Sequence, residues 1–309
     1  MGTYKNRHKN MNKNKNKTKK NNKKKLKNKK FIKDRCAPSN GKTLNFTCYT
    51  EDNLLKLKEI WNKKHSDSKI TSNNPKTIWK ALKYLMKNTC DRESCWLKHE
   101  CHKLDIPKHI FNKNFAPKMP NEWKKKPTTW LNTLDIMNVM KQWEKVYKNF
   151  SFIGPSPIDY DHHMVDGECV WEELCHFNLK YYLDKGINKI GIIFNLDKHD
   201  KDGSHWVALF IDISLNKIYY FDSYGDKHPR RIKRFINKVI KQFKILGMKC
   251  EYKLNTMRHQ YSDSECGMYS LYFIIQLLKG NSLKKFNNMQ YRKIPDKYMK
   301  RLRKKYFNI

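Results

Sequence analysis

Gln260-Tyr261-Ser262-Asp263-Ser264-Glu265-Cys266-Gly267 runs straight into Met268-Tyr-Ser-Leu-Tyr-Phe-Ile-Ile-Gln-Leu-Leu278. The second stretch is long and almost wholly apolar, which reads as a buried helix rather than a strand. Cys266 then sits at or just before a helix N-terminus. There the first backbone N–H groups lack intrahelical partners, and the helix dipole presents its positive end. Cysteines in such places lean toward thiolate, the form that attacks carbonyl carbon. Gly267 has no Cβ and lets a second backbone approach closely. A lone cysteine is more often a buried structural residue, so the rest of the chain must supply the partners a nucleophile needs.

Upstream of this stretch the hydrophobic period changes. Lys189 to Leu196 reads as a buried strand, Asp197 to Ser204 as a polar loop, and His205 to Ile213 as a second apolar strand. Asn216 sits in a turn, and Lys217 to Asp222 is a third strand, hairpin-paired with the second. Pro229 to Leu246 carries an apolar stripe of Ile232, Phe235, Ile236, Val239, Ile240 and Phe243 and reads as an amphipathic helix. Cys250 to Met257 alternates as a fourth strand. Pro295 to Phe307 closes the chain as a basic amphipathic helix.

Three side chains fall where chemistry can use them. His205 begins a strand after a loop, and Asp222 ends its hairpin partner, so adjacent strands bring the two side by side. Cys266 lies at the mouth of the buried helix. A cysteine nucleophile needs a neighbouring base, and the base needs a group to orient it. Gln260 offers a side-chain N–H to a developing oxyanion beside the Cys266 backbone N–H. Singly each has an ordinary reading: a surface histidine, a turn aspartate, a core glutamine. Together, in this order and spacing, they point to thiol hydrolysis.

The N-terminal half is less telling. Residues 1–33 hold 15 Lys/Arg and no acidic residue, a composition that does not fold alone and reads as a disordered basic tail. Asp52 to Lys63 and Pro75 to Lys87 read as helices, and Ile78, Trp79, Leu82, Leu85 and Met86 of the second form a core face. Cys90, Cys95, Cys101, His99 and His102 fall within 13 residues. Zinc is one reading, with Cys36 or Cys48 as a further ligand, but the spacing is not a standard two-pair pattern. A tight turn with buried thiols packed against Trp96 fits better. Residues 114–130 read as a connector, Leu134 to Phe150 as a helix, Phe152 to Asp159 as an extended segment with a turn, and Glu168 to Leu179 as a short helix.

Composition bounds the rest. At 309 residues and 39% hydrophobic content the chain can bury one large core or two modest ones. No apolar run approaches the ~20 residues needed to span a bilayer, so no membrane partner and a cytosol-like compartment are expected. Nine cysteines, an odd number scattered over a long chain, do not suggest a secreted disulfide framework. A net charge of +37 implies affinity for polyanions, DNA or RNA, above all through the tail. Part of that excess reflects coding bias, since only 10 of the 66 basic residues are Arg and Asn, Ile, Tyr and Phe abound.

Gly203-Ser-His205-Trp206, Tyr220-Phe-Asp222-Ser-Tyr-Gly225 and Gln260-x5-Cys266-Gly267 resemble, in that order, the ubiquitin-like-protein (SUMO) protease superfamily, which also contains the adenovirus protease. The resemblance implies that His205 is the general base, Asp222 its orienter, Gln260 the oxyanion donor and Cys266 the nucleophile. It also implies that Trp206, with Gly267, lines a channel for a glycine-rich substrate tail. Cys90-Asp-Arg-Glu-Ser-Cys95, Trp143-x3-Tyr147-x2-Phe150, Arg258-His259-Gln260 and Pro295-Asp-Lys-Tyr-Met299 are similar to the polyprotein-processing proteases of large DNA viruses, the group of the African swine fever virus enzyme. Within that group the third triad position is Asp or Asn.

What the group implies is an α+β fold: a papain-like, SUMO-protease-type core with a central mixed sheet and a buried Cys helix, at residues 119–309. A helical arm domain at 35–118 and the basic tail at 1–34 precede it. The implied activity is cleavage of viral core or capsid precursors after Gly-Gly, in the virion and host cytoplasm, with no cofactor and no metal. A SUMO or ubiquitin deconjugating enzyme is the alternative with the same chemistry. A nucleic-acid-bound structural protein on a protease scaffold is the alternative from another class, and the intact His/Asp/Gln/Cys set argues against it.

Overall fold

The computed structural model describes residues 31–38, 44–100 and 114–308. In chain order the elements are α1 (Glu51–Lys64), α2 (Pro75–Leu85), α3 (Glu93–Glu100), a single 3-10 turn (Asn121–Lys124), α4 (Thr133–Val146), β1 (Phe150–Pro157), α5 (Glu172–Cys175), α6 (Leu179–Asp184), β2 (Lys189–Asn195), β3 (Trp206–Asp212), β4 (Lys217–Phe221), α7 (Arg230–Ile245), β5 (Glu251–Leu254), α8 (Cys266–Leu278), α9 (Ser282–Tyr291) and α10 (Asp296–Tyr306). Residues 1–30 of the basic tail and most of the Lys98–Lys113 stretch lie outside the described residues.

The strands form one sheet in the order β1-β2-β3-β4-β5. The outer pairs are parallel and the two inner pairs antiparallel, so the sheet is mixed. Side chains on a strand alternate between faces, and here both faces are buried. Trp206, Ala208 and Phe210 of β3, with Tyr219 and Phe221 of β4, join a core that includes α4, α8, α9 and α10. Val207, Leu209 and Ile211, with Ile218 and Tyr220, join the opposite core under α6 and α7. A strand covered on both sides reads as a continuous apolar run, which is what β2, β3 and β4 show.

Helix α8 crosses the first face. It lies close because β2 carries Gly191, where an added Cβ would stand 2.9 Å from Ile274 Cγ2 and 3.1 Å from the Phe150 ring. Local signals set the helix starts. Asn132 and Asp135 form a reciprocal capping box on α4, and Thr50 caps α1 through the Asn53 N–H. Pro75 opens α2, where its missing N–H costs nothing. A third buried cluster, with Tyr49, Trp61, Ile78, Trp96 and Phe115, gathers α1, α2 and α3.

Four expectations change. The helix expected over Leu134 to Phe150 stops at Val146, because Phe150 pairs with Lys189 as the first residue of β1. The helix expected over Glu168 to Leu179 is two short ones, the second capped by Asn178 through the Tyr181 N–H. Helix α9 was not expected at all. Its Lys/Asn-rich sequence hides two anchors, Phe286 and Met289, that bury it.

The cysteines are the fourth correction. Among the described residues six pair, as Cys36–Cys48, Cys90–Cys95 and Cys169–Cys175. Cys90 and Cys95 are therefore bonded to each other rather than packed as thiols beside Trp96, which is nonetheless fully buried. The partners are only 12, 5 and 6 residues apart. Local turns bring them together, which a count over the whole chain obscures. The side chains of His99, Cys101 and His102 lie outside the described residues.

Candidate active site

Two strands and one helix converge on a single corner. Asn195 pairs with Trp206 at the start of β3, and the Leu196 N–H donates to the His205 carbonyl, so His205 stands immediately ahead of β3 at the sheet edge. Ala208 pairs with Phe221, the last residue of β4, which brings Asp222 to the same edge. His205 Nε2 lies 2.8 Å from Asp222 Oδ1. That oxygen also accepts from the Tyr224 N–H at 2.8 Å, while Asn255 Nδ2 donates to the Asp222 carbonyl at 2.8 Å. The Tyr224 N–H thus fixes the carboxylate and Asn255 fixes the Asp222 backbone.

Cys266 is the first residue of α8 and is almost fully buried. Its side chain acts on the charge of His205, as does the Asp222 carboxylate. Burial opposes the imidazolium, but the two hydrogen bonds and the charges of Asp222 and Cys266 outweigh it and raise the His205 pKa to about 9. The ring is therefore protonated at neutral pH. Cys266 itself begins a helix, where unpaired backbone N–H groups and the helix dipole point outward. The Tyr224 ring stacks on the imidazole at 4.7 Å between centroids and 14° between planes, fixing its plane.

Gln260 is fully buried. Its Oε1 accepts from Ser223 Oγ at 2.7 Å, so its amide nitrogen faces the other way, toward the Tyr224 hydroxyl at 3.4 Å and the Ser262 carbonyl at 2.5 Å. Tyr224 is itself within electrostatic reach of Cys266. Trp206 is buried rather than open: its Nε1 donates to the Leu131 carbonyl at 3.0 Å. A Cβ at Gly267 would meet Leu131 Cβ at 3.1 Å and Trp206 Cδ1 at 3.3 Å, so glycine is the side chain that this packing accepts. Leu131, just ahead of α4, was not among the expected neighbours.

A second set was missed. Glu265, the residue before Cys266, is fully buried against Arg303 of α10, with Nε to Oε2 at 2.9 Å. Arg303 also donates to the Ser264 carbonyl at 2.9 Å and the Thr129 carbonyl at 2.7 Å, and its guanidinium lies 4.5 Å over Trp123. One arginine therefore ties the cap of α8, the segment bearing Leu131 and the C-terminal helix together. The signal was present: Arg303 falls on the stripe of Met299 and Leu302, where a surface arginine does not belong. Arg303→Met is expected to destabilise the protein by about 3–5 kcal/mol, because it strands a buried carboxylate. Urea unfolding checks this. The double variant with Glu265→Gln should recover most of the loss, and a double variant no better than the single would show that the charge pair is not what matters.

Comparison with known proteins bears on the same residues. The family model described as Ulp1 protease family, C-terminal catalytic domain, matches residues 137–309. A protein of Acanthamoeba polyphaga mimivirus, whose name describes a thiol protease, is 34% identical over 265 residues, 79% of this chain and 84% of its own length. A cysteine protease of African swine fever virus is 30% identical over 237 residues, 71% of this chain and 84% of its own length. A crystal structure of an African swine fever virus protease superposes with a TM-score of 0.63 at 24% identity, covering 89% of this chain and 96% of that one. That likeness gives the fold: α+β, with a mixed five-stranded sheet and flanking helices. With the matched span containing every strand of the sheet and Cys266 at its buried helix, the chain belongs to the Ulp1 protease family and is a cysteine protease.

Proposed function

We propose that the chain is a thiol endopeptidase that cuts viral structural precursors after Gly-Gly-type sites, in the virion and host cytoplasm. The observation that carries the reading is the His205 ring bonded to Asp222 at 2.8 Å, with the buried Cys266 at the start of α8 close enough to act on its charge. In this reading the Cys266 thiolate attacks the scissile carbonyl and forms a C–S bond. His205 gives its proton to the departing amine, and the C–N bond breaks. Water, deprotonated by His205, then hydrolyses the thioester and frees the thiolate. Asp222 holds the imidazole in the right orientation throughout.

The Gln260 amide and the Cys266 backbone N–H receive the oxyanion. For the amide this requires exchanging the Ser262 carbonyl for the substrate oxygen, while Ser223 keeps hold of Oε1. Gln260→Ala is expected to lower kcat by roughly 10²–10³ with little change in KM. Equal losses in kcat/KM caused wholly by KM would place Gln260 in binding instead. In this reading the preference for glycine comes from a narrow channel beside Trp206 and Gly267 that admits a backbone without Cβ.

A second reading, removal of SUMO or ubiquitin from conjugates, uses the same machinery. It is favoured by relatives from African swine fever virus that are named SUMO-1 cysteine proteases. Incubation with viral precursor proteins, with SUMO conjugates and with ubiquitin conjugates, followed by sequencing of the new N-termini, separates the two. New N-termini after Gly-Gly in the precursors support the first. Release of SUMO or ubiquitin with intact precursors supports the second, and no cleavage of any would overturn both. The basic tail, proposed to bind DNA or RNA, does not enter either chemistry.

A further inference from the structure

Residues 159–176 form a knot outside the catalytic corner. His163 and Cys169 face each other across an antiparallel bridge, closed by a turn in which the Gly167 N–H donates to the Met164 carbonyl at 2.9 Å. The short helix α5 follows and carries Cys175 at its end, with His176 next. The ligand atoms of His163, Cys169 and Cys175 all lie within 4.8 Å of one another, and so do those of Cys169, Glu172 and His176. Both triads share Cys169, which links His163 and Cys175 on one side with Glu172 and His176 on the other.

We propose that, with Cys169 and Cys175 reduced, this knot binds one structural zinc ion through His163, Cys169, Cys175 and His176. The ligand types are those of a closed Cys2His2 site. His163 Nε2 stands 3.9 Å from Cys169 Sγ. Two ligands on one tetrahedral zinc, with Zn–S about 2.3 Å and Zn–N about 2.0 Å, are separated by about 3.6 Å. His163 Nδ1 lies 3.0 Å from the Gly167 carbonyl. A proton on Nδ1 leaves the Nε2 lone pair for the metal, the second contact that zinc-bound histidines usually make.

His176 already lies with Cys169 in the second triad. It is 70% exposed and now pairs with Glu172 Oε2 at 3.3 Å, a carboxylate placed to remain as its outer partner. The Cys169 and Cys175 Cα atoms are 6.3 Å apart, a separation that serves a disulfide and equally two thiolates on one ion. In a reducing compartment such a pair exists as dithiol. Two equivalents of a small thiol convert the disulfide to two thiols and leave one oxidised small-thiol disulfide. Zinc then displaces both protons to water.

The ion's place gives it a task. Asp159, at the start of the knot, accepts from the His199 N–H at 2.9 Å and pairs with His199 Nδ1 at 2.8 Å. The Ile158 N–H donates to the Asp197 carbonyl at 3.0 Å, and the His162 and His199 rings stack at 5.7 Å. The knot thus holds the 197–204 loop that delivers His205. Zinc would lock this support without touching the reacting atoms.

The test is alkylation of the reduced full-length protein with and without zinc chloride, with each cysteine followed by peptide mass. Cys169 and Cys175 should be protected by zinc and Cys250 should not. His163→Ala should weaken zinc binding roughly tenfold or more, read in the same assay. The thermal midpoint of the reduced protein should rise with zinc and fall with a chelator. Equal alkylation of Cys169 and Cys175 with and without zinc, or protection confined to other cysteines, overturns the proposal. The wild-type measurement decides even if the His163 variant fails to fold.

Discussion

Cys266→Ala is expected to lower peptide cleavage by roughly 10⁴- to 10⁶-fold, the scale of removing a nucleophile from a set that works as a unit. The fold should survive. The side chain loses one sulfur atom at the end of α8, and the helix keeps its apolar contacts with both α4 and β3. The variant should also change its neighbour. The His205 pKa of about 9 depends partly on the hydrogen bond and charge of Cys266. Without them burial gains on Asp222 alone, and the pKa should fall. Histidine NMR titration of the two proteins measures this directly. An alanine variant with near-normal activity would end the assignment of Cys266, and an unchanged His205 pKa would mean that the sulfur does not face the ring.

Cys250 supplies the control. Burial pushes its thiol up to about 11, so it is protonated at neutral pH and a poor nucleophile. Cys250→Ser should leave kcat/KM unchanged. The sign of the stability effect also follows. A histidine whose pKa is raised from 6.5 to about 9 by folding contributes stability that is fully present below about 6.5 and lost as pH rises through about 9. The Cys266→Ala protein should show less of that alkaline loss.

The placement of His205 beside Asp222, and of Cys266 at a helix start, was legible in the sequence because short-range patterns carry it. The apolar run after Gly267 requires a buried helix, and the hairpin spacing requires His205 and Asp222 to share an edge. Those two inferences place His205 beside Asp222 and Cys266 at the start of the buried helix. What escaped depends on distance along the chain. Leu131 reaches Trp206 from 75 residues away, and Arg303 reaches Glu265 from 38 away. Neither contact leaves a periodic trace. Helix α9 escaped for another reason: with only Phe286 and Met289 as buried apolar anchors, its pattern is too sparse to read. The disulfides escaped because residue counts do not show turns.

His205→Ala is expected to lose nearly as much activity as Cys266→Ala, since in the proposed mechanism His205, held by Asp222, is the group that moves the proton. Asp222→Asn should be milder. The amide oxygen can still accept from His205 Nε2 and from the Tyr224 N–H, the two bonds that Asp222 Oδ1 makes now. What it loses is the negative charge that helps hold the imidazolium. The consequence appears in the pH profile. In the wild type, activity should fall at alkaline pH as His205 deprotonates near 9, because the proton for the departing amine is then gone. In Asp222→Asn this limb should move to lower pH, while in a variant that merely unfolds part of the protein it would stay in place with reduced amplitude. Steady-state kcat/KM across pH for the three proteins gives both results. Asp222→Asn proving worse than His205→Ala, or an alkaline limb unmoved by it, would show that Asp222 acts on the fold of the corner and not through the imidazole.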